Sequence, residues 1–277
     1  MSKKDFIIRL KNKNEYMIKS LGITEAYKNK FIEKPKDENA KIWRYLDFTK
    51  FISILDRKVL FFVRADRLSD KFEGSYSFPK DIVSLIKKIS PHDFKEWFRL
   101  LPKYTSEFMY VNCWCLGKYE SSAMWKLYLK SDEGIAIQST YKRLSECFNK
   151  NSAYKEGIEI GKIKYIEYGK DLIPPNMYLS FLYKRKSFEH EKELRAIITL
   201  ISDEQIEEPK DKKNKKPEND LTSSGIYIPI DLDILIEKIY VSPTSEKWFK
   251  DLVESIVRKY KLKMVVKQSD LSKDPVL

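Results

Sequence analysis

Glycine is scarce, with eight in 277 residues, and the chain holds no G-x-x-x-x-G-K-[ST] or G-x-G-x-x-G run. A P-loop and a glycine-built dinucleotide fingerprint are therefore excluded, because both need backbone amides brought close to phosphate. Cysteine is as rare: Cys113, Cys115 and Cys147 are too few for a disulfide framework, and the odd number fits a reducing cytoplasm. With only His92 and His190 beside them there is no recognisable ligand set for structural zinc. Long apolar runs are missing too, the longest being short stretches such as Val59 to Val63, and Met1-Ser2-Lys3-Lys4-Asp5 carries charge without an apolar signal core. Neither secretion nor membrane spanning is expected. Arginine is the last shortage, ten against 43 lysines, and base-edge readout and bidentate phosphate recognition favour arginine.

What is present is a hydrophobic content of 42%, enough to bury a substantial core, and 13% aromatics. The formal charge is +12. Residues 1–34 carry nine Lys/Arg against four Asp/Glu and residues 247–267 seven against two, so each window contributes +5. Such windows either attract nucleic acid through counterion release or form a solvated basic surface.

The chain divides into a basic N-terminal extension, residues 1–40, with a short helix around Glu15 to Phe31, and one domain, residues 41–277. Strands are expected at Ile42 to Tyr45, Val59 to Arg64, Tyr110 to Leu116, Gly134 to Ser139, Ile160 to Tyr165, Lys238 to Val241 and Lys263 to Lys267. Helices are expected at Asp47 to Asp56, Lys80 to Ile89, His92 to Leu100, Ser121 to Leu129, Asn176 to Phe188 and Lys247 to Tyr260. Residues 204–224 have no apolar period and are expected to be an exposed loop. The fold class is α+β, a mixed β-sheet flanked by helices.

Phe188 to Leu200 carries the main chemical signal. Side chains alternate across a strand, so Glu191, Glu193 and Arg195 would share one face, with Leu194, Ala196, Ile198 and Leu200 on the other. The spacing alone is uninformative: with 23 Glu in the chain, about two Glu-x-Glu pairs arise by chance, and two occur. Its context, a charged face backed by an apolar one, leaves two readings open, a solvated ion-pair face or a site. A Glu-x-Glu pair at a strand start resembles the catalytic element of ADP-ribosyltransferases, whose carboxylates engage the nicotinamide ribose of NAD. That resemblance implies an ADP-ribosyltransferase-like fold, NAD as substrate, and Glu193 and Glu191 as catalytic residues. Glu193 would stabilise the oxocarbenium-like charge and Glu191 would orient or deprotonate the acceptor.

Four islands accompany it: Trp43-Arg44-Tyr45; Arg64 to Gly74; Cys113-Trp114 with Ser121 to Tyr128; and Glu191 to Arg195. Their order over about residues 42–267 is similar to an AbiGi-like group of bacterial abortive-infection, phage-resistance proteins of unknown function. That resemblance implies a defence effector with an antitoxin or defence-system partner. By the transferase resemblance, Arg44 with Tyr45 would hold NAD from an early strand. Ser121 and Ser122 stand where that family has a Ser-Thr-Ser element, but they open a helix, where Ser121 serves equally as an N-cap. Trp125, like Trp114 and Tyr128, could stack on nicotinamide, adenine or a base, or fill a core. Arg195 would hold the carboxylates ionised.

Two other classes remain. A non-enzymatic module would bind nucleic acid or a protein partner through the basic windows. A metal-dependent nuclease would use Asp66, Asp70 and Glu73, although Arg64, Arg67 and Lys71 interleave with them and could neutralise them instead. The acceptor of any transfer, whether protein, nucleic acid or water, is not legible in the sequence.

Overall fold

Asp47 ends the first strand and starts the first helix: its Oδ1 accepts the amide hydrogen of Lys50 at 2.8 Å. The helix then buries Phe51, Ile54 and Leu55 and stops where Lys58 turns left-handed, at φ 52°. In chain order the elements of this computed structural model are β1 (Lys41–Asp47), α1 (Phe48–Arg57), β2 (Val59–Arg64), α2 (Lys80–Ile89), β3 (Met109–Leu116) and α3 (Ser122–Tyr128). There follow β4 (Gly134–Thr140), α4 (Tyr141–Glu146), β5 (Glu159–Lys162), β6 (Lys164–Ile166), β7 (Tyr183–Arg185) and β8 (Glu193–Thr199). Next come β9 (Gly225–Pro229), α5 (Leu232–Leu235), β10 (Lys238–Val241), α6 (Lys247–Lys259) and β11 (Val265–Gln268). The structure describes residues 32–89, 102–103, 105–129, 131–148, 157–174, 178–200 and 224–275. The helices expected at Glu15 to Phe31 and His92 to Leu100, the first basic window apart from its last residues, and nearly all of the loop at 204–224 lie outside them.

The architecture is α+β: a nine-stranded mixed sheet with helices against it and a separate parallel pair, β6–β7. Its organising strand is β3. On one edge β3 pairs along its length with β8, from Met109↔Thr199 to Cys115↔Glu193. On the other edge it is shared: Cys115 and Leu116 pair with Trp43 and Ile42 of β1, whereas Tyr110 and Val111 pair with Arg64 and Val63 of β2. Between those two ladders β1 and β2 diverge, and Asn112 to Trp114 have no strand partner on that edge among the described residues. Side chains bridge the gap instead. Asn112, 1% exposed, donates from Nδ2 to the Phe61 carbonyl at 2.8 Å and accepts from Trp114 Nε1 at 2.7 Å.

The main core lies on one face of the sheet, where Ile42, Phe51, Leu60, Trp114, Leu194, Ala196 and Val253 pack together. On the other face Met109, Val111 and Ile197 pack against Phe181, Leu182 and Tyr183, and Trp43 and Tyr45 pack against Met124 and Trp125 of α3. Both faces of β8 are thus covered. Among the described residues no helix is long and apolar enough to cross a membrane.

Three expectations are corrected. The single strand expected at Ile160 to Tyr165 is two, β5 against β8 in the main sheet and β6 in the separate pair, with Ile163 between them. Glu191 is not in the strand: it ends a 3₁₀ turn, Lys186–Glu191, and Lys192 then takes a left-handed φ of 44° before β8 starts at Glu193. The segment expected as a helix at Asn176 to Phe188 is, where described, a 3₁₀ turn (Leu179–Leu182), the strand β7 and part of the second 3₁₀ turn. Residues 175–177 lie outside the described set.

Candidate active site

The divergence of β1 and β2 opens a cavity of about 490 Å³, in the range of small-molecule and cofactor sites. Aromatic and apolar walls come from Trp43, Tyr45, Phe61, Trp114, Tyr128 and Tyr227. Its charged groups are Arg44, Lys50, Glu191 and Glu193.

Arg44 leaves β1 on the face that carries Ile42 and Leu46, and its guanidinium occupies the gap in the sheet. Nη1 donates to the Cys113 carbonyl at 2.7 Å, and the guanidinium lies 5.8 Å from the Trp114 ring centroid. Among the described residues no carboxylate pairs with it. Burial lowers its pKa, partly offset by Cys113 and Tyr128, yet an arginine stays charged at any physiological pH. An arginine fork with unused donors at a cavity wall is suited to an anion.

Opposite stands a buried ion cluster. Arg195, 1% exposed, donates from Nε to Glu193 Oε1 at 2.8 Å, from Nη1 to Glu73 Oε2 at 2.6 Å and from Nη1 to the Phe181 carbonyl at 2.8 Å. Lys184 Nζ lies 2.6 Å from Glu191 Oε2, 3.3 Å from Glu193 Oε2 and 3.5 Å from Glu73 Oε1. The Glu193 amide donates to Tyr165 Oη at 2.8 Å, fixing the start of β8. Burial opposes ionisation of Glu193, but the charges of Arg195 and Lys184 outweigh it and hold the carboxyl below the usual glutamate range. Burial, together with the carboxylates of Glu191 and Glu193, pushes the Tyr128 hydroxyl up to about 12. Glu191 keeps its Oε1 out of any hydrogen bond among the described residues, and its side chain is 18% exposed.

Of the residues singled out in the sequence, Arg44, Tyr45, Glu191 and Glu193 line one cavity. Arg195 does not reach it, because the Leu179–Leu182 turn and the segment bearing Glu73 cover its face of β8; its guanidinium braces Glu193 from behind. Trp125 is 2% exposed, packs edge-on to Tyr45 and donates from Nε1 to Glu120, so it belongs to the packing beneath α3. Ser121 is the N-cap of α3: its Oγ accepts from the Met124 amide at 3.3 Å, and its own amide donates to Tyr45 Oη at 2.7 Å. Ser122 is exposed and off the lining.

The nuclease candidates disperse. Asp66 pairs with Arg64, Asp70 with Arg185 and Glu73 with Arg195, and among the described residues no group of three metal-ligating side chains forms. The second basic window exposes Lys247, Arg258, Lys259, Lys261, Lys263 and Lys267, none of them on the cavity. Sequence reasoning missed Lys184 and Tyr165. The one signal for Lys184 was its place in the basic-aromatic stretch before Glu191.

No family model matches the chain, and no curated protein matches it. Among solved structures, DarT of Thermus sp. 2.9 in complex with carba-NAD+ aligns with a TM-score of 0.36 and 9% identity, covering 84% of this chain and 96% of that one. At that score the likeness stands as an observation, and the functional reading rests on the cavity.

Proposed function

We propose that the cavity binds NAD and that the protein breaks the bond between its nicotinamide and ribose, passing ADP-ribose to an acceptor or to water. One observation carries the reading: an arginine without a carboxylate partner and two carboxylates, Glu193 held ionised, converge on a single aromatic-walled cavity. Arg44 would hold the pyrophosphate, because a rigid fork of N–H donors matches phosphate oxygens. Tyr128, exposed at the cavity, offers a ring face for the nicotinamide.

As the C1′–N bond breaks, its electron pair leaves with the nicotinamide nitrogen and positive charge develops across C1′ and the ring oxygen. Glu193, fixed by Arg195 and Lys184, supplies preorganised negative charge for that cation. Glu191, with one oxygen unused, is placed to accept a hydrogen bond from the ribose or to take the proton of the nucleophile that closes the new bond at C1′. A role as a phage-defence effector restrained by a partner belongs to this proposal through the four sequence islands alone.

The test is nicotinamide release from NAD by purified protein, with a cell lysate as acceptor source. Glu191→Gln should lower it on the order of a hundredfold, with a modest fall in the thermal midpoint, since the side chain is partly exposed and the amide oxygen can still accept from Lys184. Lys259→Gln, on the exposed face of α6, should match wild type. Release by wild type no faster than in buffer refutes the proposal.

A further inference from the structure

We infer that Lys184 is a positioning residue of this site, the single ammonium that Glu191 and Glu193 share and that sets the charge of Glu193 at the cavity wall. What the carboxylates do rests on the NAD reading above; what Lys184 does to them rests on geometry.

Lys184 is the middle residue of β7, a strand outside the main sheet, paired in parallel with β6 at Tyr165↔Lys184. A 3₁₀ turn on each side of β7 fixes its entry and exit. Its Nζ therefore crosses from the small sheet to the large one and meets three carboxylates there, from the segment after β2 (Glu73), the turn before β8 (Glu191) and β8 itself (Glu193). An ammonium has three N–H donors, so the three acceptors match its capacity. Burial opposes its charge, but Glu193, Glu191 and Glu73 raise its pKa, so it remains a cation. Phe188 covers it, with the ring centroid 4.7 Å from Nζ.

The cluster holds three carboxylates and two cations. Arg195 serves Glu73 and Glu193, and Lys184 is the only cation paired with Glu191 among the described residues. Without Lys184, three neighbouring carboxylates would face Arg195 alone in a desolvated patch, and like charges in that setting bind a shared proton. The other titratable groups facing the pair give no relief: Cys113 and Cys115 from β3, Tyr128 from α3 and Tyr165 from β6 are all pushed upward by burial and stay neutral. Of the other nearby cations, Lys192 is exposed to solvent, Arg185 is paired with Asp70 and Arg44 donates to the Cys113 carbonyl, and none is paired with these carboxylates among the described residues. Glu193, the most deeply buried of them on the cavity, would lose one of the two cations that hold it ionised, and its protonation would remove a negative charge from the wall that faces the developing cation.

The experiment follows nicotinamide release by wild type, Lys184→Met, Lys184→Arg and Lys259→Gln between about pH 6 and about pH 9. Lys184→Met should lose on the order of tenfold or more in kcat at neutral pH, with KM for NAD changed little because Arg44 is untouched. The deficit should shrink by about tenfold per pH unit as the extra proton is shed, while Lys184→Arg restores activity and Lys259→Gln leaves it unchanged. A deficit equal at every pH, or no deficit, overturns the inference.

A parallel titration of 13C-labelled glutamate carboxyls reads the same claim without turnover. Lys184→Met should raise the midpoint of Glu193 by about one unit or more, and an unshifted midpoint overturns the inference whatever the NAD assay gives. If wild type releases no nicotinamide while the midpoint shifts, the NAD reading fails and the positioning role stands. Should Lys184→Met not fold, Lys184→Met with Glu73→Gln removes one carboxylate with the cation, and a rise at Glu193 is required of it.

Discussion

Arg44→Met separates a ligand-holding arginine from a structural one. Only Nη1 of Arg44 makes a hydrogen bond, to the Cys113 carbonyl, and no carboxylate pairs with the guanidinium among the described residues. The donors left over are available to pyrophosphate, and a hydrogen bond to a charged group is worth about 1.5–3 kcal/mol. At about 1.4 kcal/mol per tenfold, the substitution should weaken NAD binding roughly 10- to 100-fold. The folded state loses one hydrogen bond and some packing against Trp114, about 0.5–1.5 kcal/mol, which is a fall of about 1–6 °C in Tm for a chain of this size. Arg44→Lys should recover part of the affinity, since it keeps the charge and loses the fork. Titration calorimetry with NAD and a thermal melt decide the matter together. Unchanged affinity refutes the assignment. So does a stability loss of about 3–5 kcal/mol, the signature of a broken buried ion pair.

Gly74 sits at φ 76° directly after Glu73, and a Cβ there would lie 2.5 Å from Phe181 Cε1. Gly74→Ala should therefore cost about 2–5 kcal/mol in urea unfolding, adding left-handed strain to overpacking; a loss below about 1 kcal/mol would mean that the segment relaxes freely. Acid should destabilise the protein through Glu193. Its folded-state pKa is depressed, so its contribution is present above the unfolded value, about 4.3, and is lost as pH falls through the folded value. Glu193→Gln, less stable than wild type at neutral pH, should lack that part of the acid loss, and parallel acid losses in the two proteins would contradict the ionised state assigned to Glu193.

Much of the sheet was legible because its strands carry their own periodicity. Val59–Arg64 and Lys238–Val241 fall where expected, and Leu194, Ala196 and Ile198 enter the main core as their alternation requires. Alternation failed one residue before β8. Nothing about a lysine announces the φ of 44° at Lys192, and that bend moves Glu191 out of the strand while still delivering it to the cavity. The stretch from Tyr183 to Arg185 falls within an expected helix, yet pairing with β6, distant in sequence, makes it a strand. The gap in the sheet depends on where β1 and β2 each meet β3, a register between distant strands that no local pattern encodes. Asp70 and Glu73 looked like metal ligands because their partners, Arg185 and Arg195, lie 115 and 122 residues away. Arg44 was singled out by the transferase resemblance, from its place on an early strand, and its position inside the gap needed the fold.

The most direct measurement is a crystal structure with a hydrolysis-resistant NAD analogue. The account predicts the analogue in the cavity between β1, β2 and β3, its pyrophosphate hydrogen-bonded to Arg44 and its nicotinamide ribose beside Glu191 and Glu193. An analogue bound elsewhere, or a cavity that stays empty at saturating analogue, would contradict it.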